Sequence, residues 1–409
     1  NTALGDTALD SVQAGGNYNV VLGSRAGTNI TTGDNNVGVG AYALCDIQTN
    51  SQNVAIGTET LKKNTASNNT AVGYISLRCN TSGCQNTAVG SEALKTNTTA
   101  NNNTAVGHCS LTLNTTGTRN TGTGKSSLQA NTTGSCNSGH GMYALYNNTE
   151  GGNNVAVGTC SLFTNTTADN NTAVGLCSLY ANTTGSENTA VGTYALDANT
   201  TGAKNTAVGK NAGSAITTGT FNDIFGRSAG FDLTTGDYNV AVGSGSLANL
   251  TTTNDNTAVG HNALNTVVTG TQNTAVGTCA LHNTTVNCGT AVGYQSLKGN
   301  TTGDKNTAVG RNSANNNTTG SDNTVVGFCS LGTNTTGACN TAFGNYSLYS
   351  NTTANDNSAF GYNTLGLNTT GTNNVAMGRN ALLNNTTASN NTAVGKDALT
   401  ANTTASENT

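Results

Sequence analysis

Five residues, NTAVG, return about every seventeen positions, and nothing separates one copy from the next. Counted from Asn1, repeats begin at 1, 19, 36, 53, 69, 86 and 103 and continue to 408, giving 24 complete repeats and two further residues. One repeat has 18 residues, two have 16 and the other 21 have 17. So tight a register leaves no room for linkers and predicts one continuous repeat domain over 1–409. Each unit is too small to bury a core alone and must stack on its neighbours. A Gly in every repeat and the period-two pattern of Thr-Ala-Val both oppose a long helix.

Composition agrees. Asn (67) and Thr (77) make up about a third of the 409 residues; Gly adds 52, Pro and Trp are absent, and charged residues are 8%. Disorder favours high charge and Pro. The polar residues here are short and suit strands or turns. With a net charge of −4 and no Lys/Arg run, nucleic acid is not an expected partner. No apolar run approaches the roughly 18 residues of a membrane span, and residues 1–30 carry no visible signal peptide.

Positions are numbered within the repeat from its Asn. Position 5 is always Gly (Gly73, Gly90, Gly107, Gly175 and Gly192 among them), and position 8 is Ala, Ser or Thr. Position 9 is Leu in 20 repeats, and position 4 is mostly aliphatic. Positions 12 to 15 usually read NTTG or NTTA. The fold expected is all-β: a parallel β-solenoid, or β-roll, of about 24 coils of 17 residues. Thr-Ala-Val forms one short strand, positions 8 and 9 lie on a second, and the Asn/Thr/Gly stretch makes the return turn. Coils stacked at about 4.8 Å would give a length of roughly 115 Å. The core ladder expected is Val72, Leu77, Val89, Leu94, Val106, Leu111, Val174, Leu179, Val191 and Leu196. With position 4 inward, Ala and Gly at positions 3 and 5 would form a smooth outward stripe. It would mark either a tight bend or the place where another chain packs.

Three repeats replace the position-9 Leu by Gly27, Gly213 and Gly230, and these carry Ile30, Ile216 and Leu233 at position 12. A fixed interior volume demands such an exchange. Position 12 therefore faces inward, and its usual Asn is expected to form an amide ladder between coils.

NTAVG, with a small residue three positions later, resembles the head repeats of trimeric autotransporter adhesins and the repeats of phage and giant-virus fibre proteins. The stretch GRSAGFDLTTGDYNVAVG at 226–243 is the most similar. The resemblance covers the whole chain. It implies a left-handed parallel β-roll, usually three chains about one axis, in a surface fibre.

Residues that could carry chemistry are dispersed. His108, His140, His261 and His282 lie on distant repeats, and acids such as Asp169, Glu187, Asp237 and Asp304 form no ladder. No catalytic group, cofactor or metal site is expected. Of eleven cysteines, Cys160 and Cys177 share position 7 one coil apart, within the reach of a disulfide. Cys279 with Cys288, and Cys329 with Cys339, recur as a pair within one coil; bonded inside one chain they would be strained, and bonds between chains would relieve that. Free thiols on a variable face are the plainer expectation. About 25 Asn-x-Ser/Thr motifs occur, including Asn97, Asn114, Asn131, Asn165, Asn182, Asn199, Asn300, Asn334, Asn351, Asn368 and Asn402 at position 12. They are candidate glycosylation sites, against which stand the inward direction of position 12 and the crowding of sugars about 4.8 Å apart.

The expected role is structural: an extracellular or virion-surface fibre that associates with copies of itself. An adhesin shaft binding carbohydrate or a cell surface is the alternative. An ice-binding solenoid needs a Thr-x-Thr ladder, and the recurrent Thr pair here (Thr98 and Thr99) is adjacent, which puts the two on opposite faces.

Overall fold

The computed structural model describes residues 1–266 and 269–409. The chain divides into two compact units, Asn1–Lys204 and Asn205–Thr409. Among the described residues every repeat contributes one three-residue strand and no helix. The first unit holds β1 (Thr2–Leu4) to β12 (Thr189–Val191), and the second holds β13 (Thr206–Val208) to β24 (Thr392–Val394). Within each unit the strands pair in parallel with identical positions opposed, as in Thr87↔Thr104, Ala88↔Ala105 and Val89↔Val106. The same register recurs at Thr290↔Thr307, Ala291↔Ala308 and Val292↔Val309. Each unit is a β-solenoid of 17-residue coils.

The strand faces the opposite way to the expectation. Ala88, Ala105, Ala173 and Ala190 at position 3 are fully buried, and Val89, Val106 and Val191 at position 4 are 36–40% exposed. Val72 and Val174 are partly exposed in the same row. The expected Ala/Gly outer stripe is therefore absent, and the Val half of the expected core ladder lies outside. Leu77, Leu94, Leu111, Leu179 and Leu196 are fully buried. The reason is volume: a 17-residue coil has space for one large side chain opposite the strand, and Leu takes it. At Val21 and Ile224 position 3 is large and position 9 of the same coil is Gly27 or Gly230, whereas Val325 keeps Leu331 in its own coil and has Ala314 at position 9 of the coil before. A Cβ at Gly27 would lie 2.9 Å from Ile30 Cδ1 and 3.0 Å from Val21 Cγ1. The reverse exchange places Gly38 at position 3, opposite Leu44 and above a buried Ile47.

The second strand expected at positions 8 and 9 is replaced by turns. Ser110 and Leu111 are consecutive and both fully buried, which a regular strand forbids because successive side chains alternate. The chain solves this with left-handed residues. Cys109 has φ 56°, Leu111 φ 51° and Arg119 φ 59°, and positions 7, 9 and 17 repeat this conformation from coil to coil. Their amides are not left over: Cys109 donates to Ser91 O at 3.0 Å and Leu111 to Ser127 O at 2.9 Å, each on an adjacent coil. A left-handed non-glycine residue costs roughly 1–2 kcal/mol. Fully burying one Leu gains about 1.5–3 kcal/mol. The margin within one coil is small, so the inter-coil bonds decide stability.

The turn glycines at position 5 have no substitute. Gly73, Gly90, Gly107, Gly175 and Gly192 have φ between 134° and 140°. At Gly141 (φ 136°) a Cβ would sit 2.6 Å from Gly158 O of the next coil. Gly141→Ala should therefore cost at least about 1–3 kcal/mol. By contrast Arg119→Gly, at an exposed left-handed position, should raise stability by about 0.5–1 kcal/mol. Thermal unfolding of the two variants beside the parent chain checks both signs.

Candidate functional surface

The interior is lined by amides. At position 12, Asn114 Nδ2 donates to Asn97 Oδ1 at 2.9 Å, and Asn131 Nδ2 to Asn114 Oδ1 at 2.8 Å. In the second unit Asn317 donates to Asn300 and Asn351 to Asn334, at 2.8 and 2.9 Å. The second Nδ2 hydrogen of Asn114 goes to Gly117 O of the same coil, at 2.9 Å. That carbonyl also accepts from Asn103 Nδ2 at 2.9 Å. Asn103 belongs to a second ladder, the repeat-opening Asn, whose Oδ1 accepts the Asn120 backbone N–H at 2.9 Å. Two Asn rows are thus cross-linked through the position-15 carbonyl. The second row has no counterpart in the sequence reading, although an Asn opening almost every repeat was its only available signal.

This geometry overturns the position-12 Asn residues as glycosylation sites. Asn97, Asn114, Asn131, Asn165, Asn182, Asn199, Asn300, Asn334, Asn351 and Asn368 are fully buried. Each Nδ2 is already a double donor, as at Asn165, Asn182, Asn334 and Asn368. Asn402 is half-buried but likewise donates twice, to Asn385 Oδ1 and Ala405 O. A sugar on such a nitrogen would remove one donor and need volume that the coil lacks. Asn-x-Ser/Thr motifs with exposed Asn lie elsewhere, at Asn29, Asn102 and Asn316.

All eleven cysteines are free. The expected pairs Cys279–Cys288 and Cys329–Cys339 are not bonded, because positions 7 and 17 lie beyond opposite ends of the strand. A strand advances about 3.3 Å per residue, so that span exceeds the roughly 7 Å limit between bridged Cα atoms. Cys160 and Cys177 occupy the same position on adjacent coils and remain unbonded, and burial is the main cause that pushes both above the ordinary thiol range. Beside them run stacked rings. Tyr146 and Phe163 have centroids 5.1 Å apart and nearly parallel planes, and Phe163 and Tyr180 repeat this at 5.2 Å.

The four His residues stay apart; His140 Nδ1 contacts Thr123 Oγ1 at 2.7 Å, and His282 Nδ1 contacts its neighbour Asn283. Among the described residues no three His, Cys, Asp or Glu side chains gather where they could hold a metal ion. Among the described residues no helix is long and apolar enough to cross a membrane.

What distinguishes the outer surface is the face of the strands. Position 2, mostly Thr, and position 4, mostly Val, point out side by side. In the second unit all twelve position-4 residues are apolar, from Val208 and Phe225 to Phe343, Phe360, Met377 and Val394. Phe343 and Phe360 stack at 5.6 Å and remain 38% and 36% exposed. Neither a family model nor a curated protein matches the chain.

Two measurements test the interior and the thiols. Asn131→Ala strands Asn114 Oδ1 and one Asn148 donor, leaves Gly134 O with Asn120 Nδ2 as its side-chain donor, and should cost about 1–3 kcal/mol or more. Mapping of thiol alkylation rates should place Cys136, Cys288 and Cys339 ahead of Cys160 and Cys177.

Proposed function

We propose that the chain is a structural protein, the shaft of an extracellular or virion-surface fibre, which associates laterally with copies of itself. The observation that carries this reading is the apolar position-4 row. A chain whose other outward positions are largely polar keeps Val, Phe and Met exposed in register on coil after coil of one face. Contiguous apolar surface of that kind marks an interaction site rather than a solvated one. The repeated inter-coil hydrogen bonds give each unit stiffness along the stacking direction. The Thr row at position 2 lies beside Val rather than a second Thr row, so the face lacks the paired hydroxyl ladder that ice binding requires.

Val276→Lys with Val309→Lys alters two side chains of this row that are 36% and 37% exposed. Surface changes of this kind should shift folding stability by no more than about 0.5 kcal/mol. Sedimentation of the full chain should find the parent associated and the variant dissociated, with unchanged circular dichroism. Equal association of both, or a monomeric parent, would overturn the reading.

A further inference from the structure

The edges of this face carry opposite charge in the second unit. Position 6, just after the strand, holds Lys210, Arg227, Arg311, Arg379 and Lys396, and no acid. Positions 16 and 17, just before the strand, hold Asp237, Asp255, Asp304, Asp322, Asp356 and Glu407, with Lys305 the single cation. Summed over the unit, the margin before the strands is therefore acidic and the margin after them basic, with Thr307–Val309 the strand that carries both an acid before it (Asp304) and a base after it (Arg311). Arg311 is held in place by rings, its guanidinium 5.7 Å from the Tyr294 centroid and 5.8 Å from that of Phe328. Among the described residues neither Arg227 nor Arg311 has an ion-pair partner within 4 Å.

Resting on the lateral association proposed above, we infer that the second unit pairs face to face with the same unit of a second copy about a two-fold axis parallel to the stacking direction. The charge pattern selects that axis. Rotation about it reverses the strand direction but keeps the stacking direction, so the acidic margin of one copy meets the basic margin of the other along both edges. A two-fold axis along the strands would set acid against acid, which is disfavoured. An isologous contact of this kind needs no translation, so each coil faces its own counterpart. Position 2 of one copy then lies over position 4 of the other, Thr307 over Val309 and Thr324 over Val326, across the roughly 10 Å that separates packed sheets. Along the stack Arg311 lies between Asp304 with Lys305, which precede its own strand, and Asp322, which precedes the next, and it faces that interval of the second copy's margin; Arg227 likewise lies less than one coil before Asp237. Each pair occurs twice by symmetry.

The test is a charge exchange in the full chain. Arg311→Asp and Asp322→Arg are substitutions for which the chain has its own precedents, since Asp6 stands at position 6 and Arg119 at position 17. Dissociation constants come from analytical ultracentrifugation at low and high salt. Arg311→Asp alone should weaken the pair about tenfold at low salt, because two symmetric contacts turn repulsive. Adding Asp322→Arg should restore it to within about threefold, and high salt should shrink both effects. A mass of two copies with this restoration supports the inference. A mass of three copies, or a double variant no tighter than the single one, overturns it and leaves lateral association standing. A parent chain that is monomeric in every condition removes both.

Discussion

The amide network inside the coil is the constraint on which the rest of the structure depends. A coil of 17 residues encloses too little apolar volume to repay the ordering of its backbone, and it spends several residues in left-handed conformations besides. The cross-linked rows typified by Asn103, Asn114 and Gly117 turn that weakness into specificity. Along the unbroken runs each side chain is satisfied by the same side chain at the same height on the next coil. Buried polar groups left unmatched are costly, so a coil shifted by one residue loses far more than a slipped hydrophobic contact would cost. The register seen in every strand pair follows from this, and so does the outward row of Thr and Val, since the interior is already full.

Much of this organisation was legible in the sequence. The repeat length, the strand at Thr-Ala-Val, the inward Asn at position 12 and the inward Leu at position 9 all follow from periodicity and from the exchange of Gly27, Gly213 and Gly230 with Ile30, Ile216 and Leu233. What misled was alternation. On a three-residue strand, period two leaves the sign of the face undetermined. Volume decides the other way: Leu111 and its equivalents occupy the centre and leave only Ala-sized space beneath the strand. The turn at positions 7 to 9 was illegible for a different reason. Left-handed residues are announced by Gly or Asn, but here they are as often Cys, Tyr or Leu, held by neighbouring coils rather than by local preference.

The surface follows the same logic. Asn-x-Ser/Thr motifs at position 12 and cysteines recurring within one coil are motifs of the sequence alone, and the fold decides both. The first is committed to the interior, and the second spans the strand. The charges, by contrast, seemed scattered when read along the chain. They form margins only when the solenoid wraps them, because the coils stack position 17 over position 17 on one side of the strands and position 6 over position 6 on the other.

Identity between neighbouring coils has a further consequence, at the level of the gene. Removing or adding one complete 17-residue unit within a run such as Asn80 to Asn182 joins an amide to an amide, a Gly to a Gly and a Leu to a Leu. The new junction is indistinguishable from the old ones. Length is therefore a nearly neutral trait, open to unequal recombination between similar repeats. The irregular coils are different: those with Gly27 beside Val21, or Gly230 beside Ile224, fit only their own complement. They act as fixed landmarks between stretches that can grow or shrink.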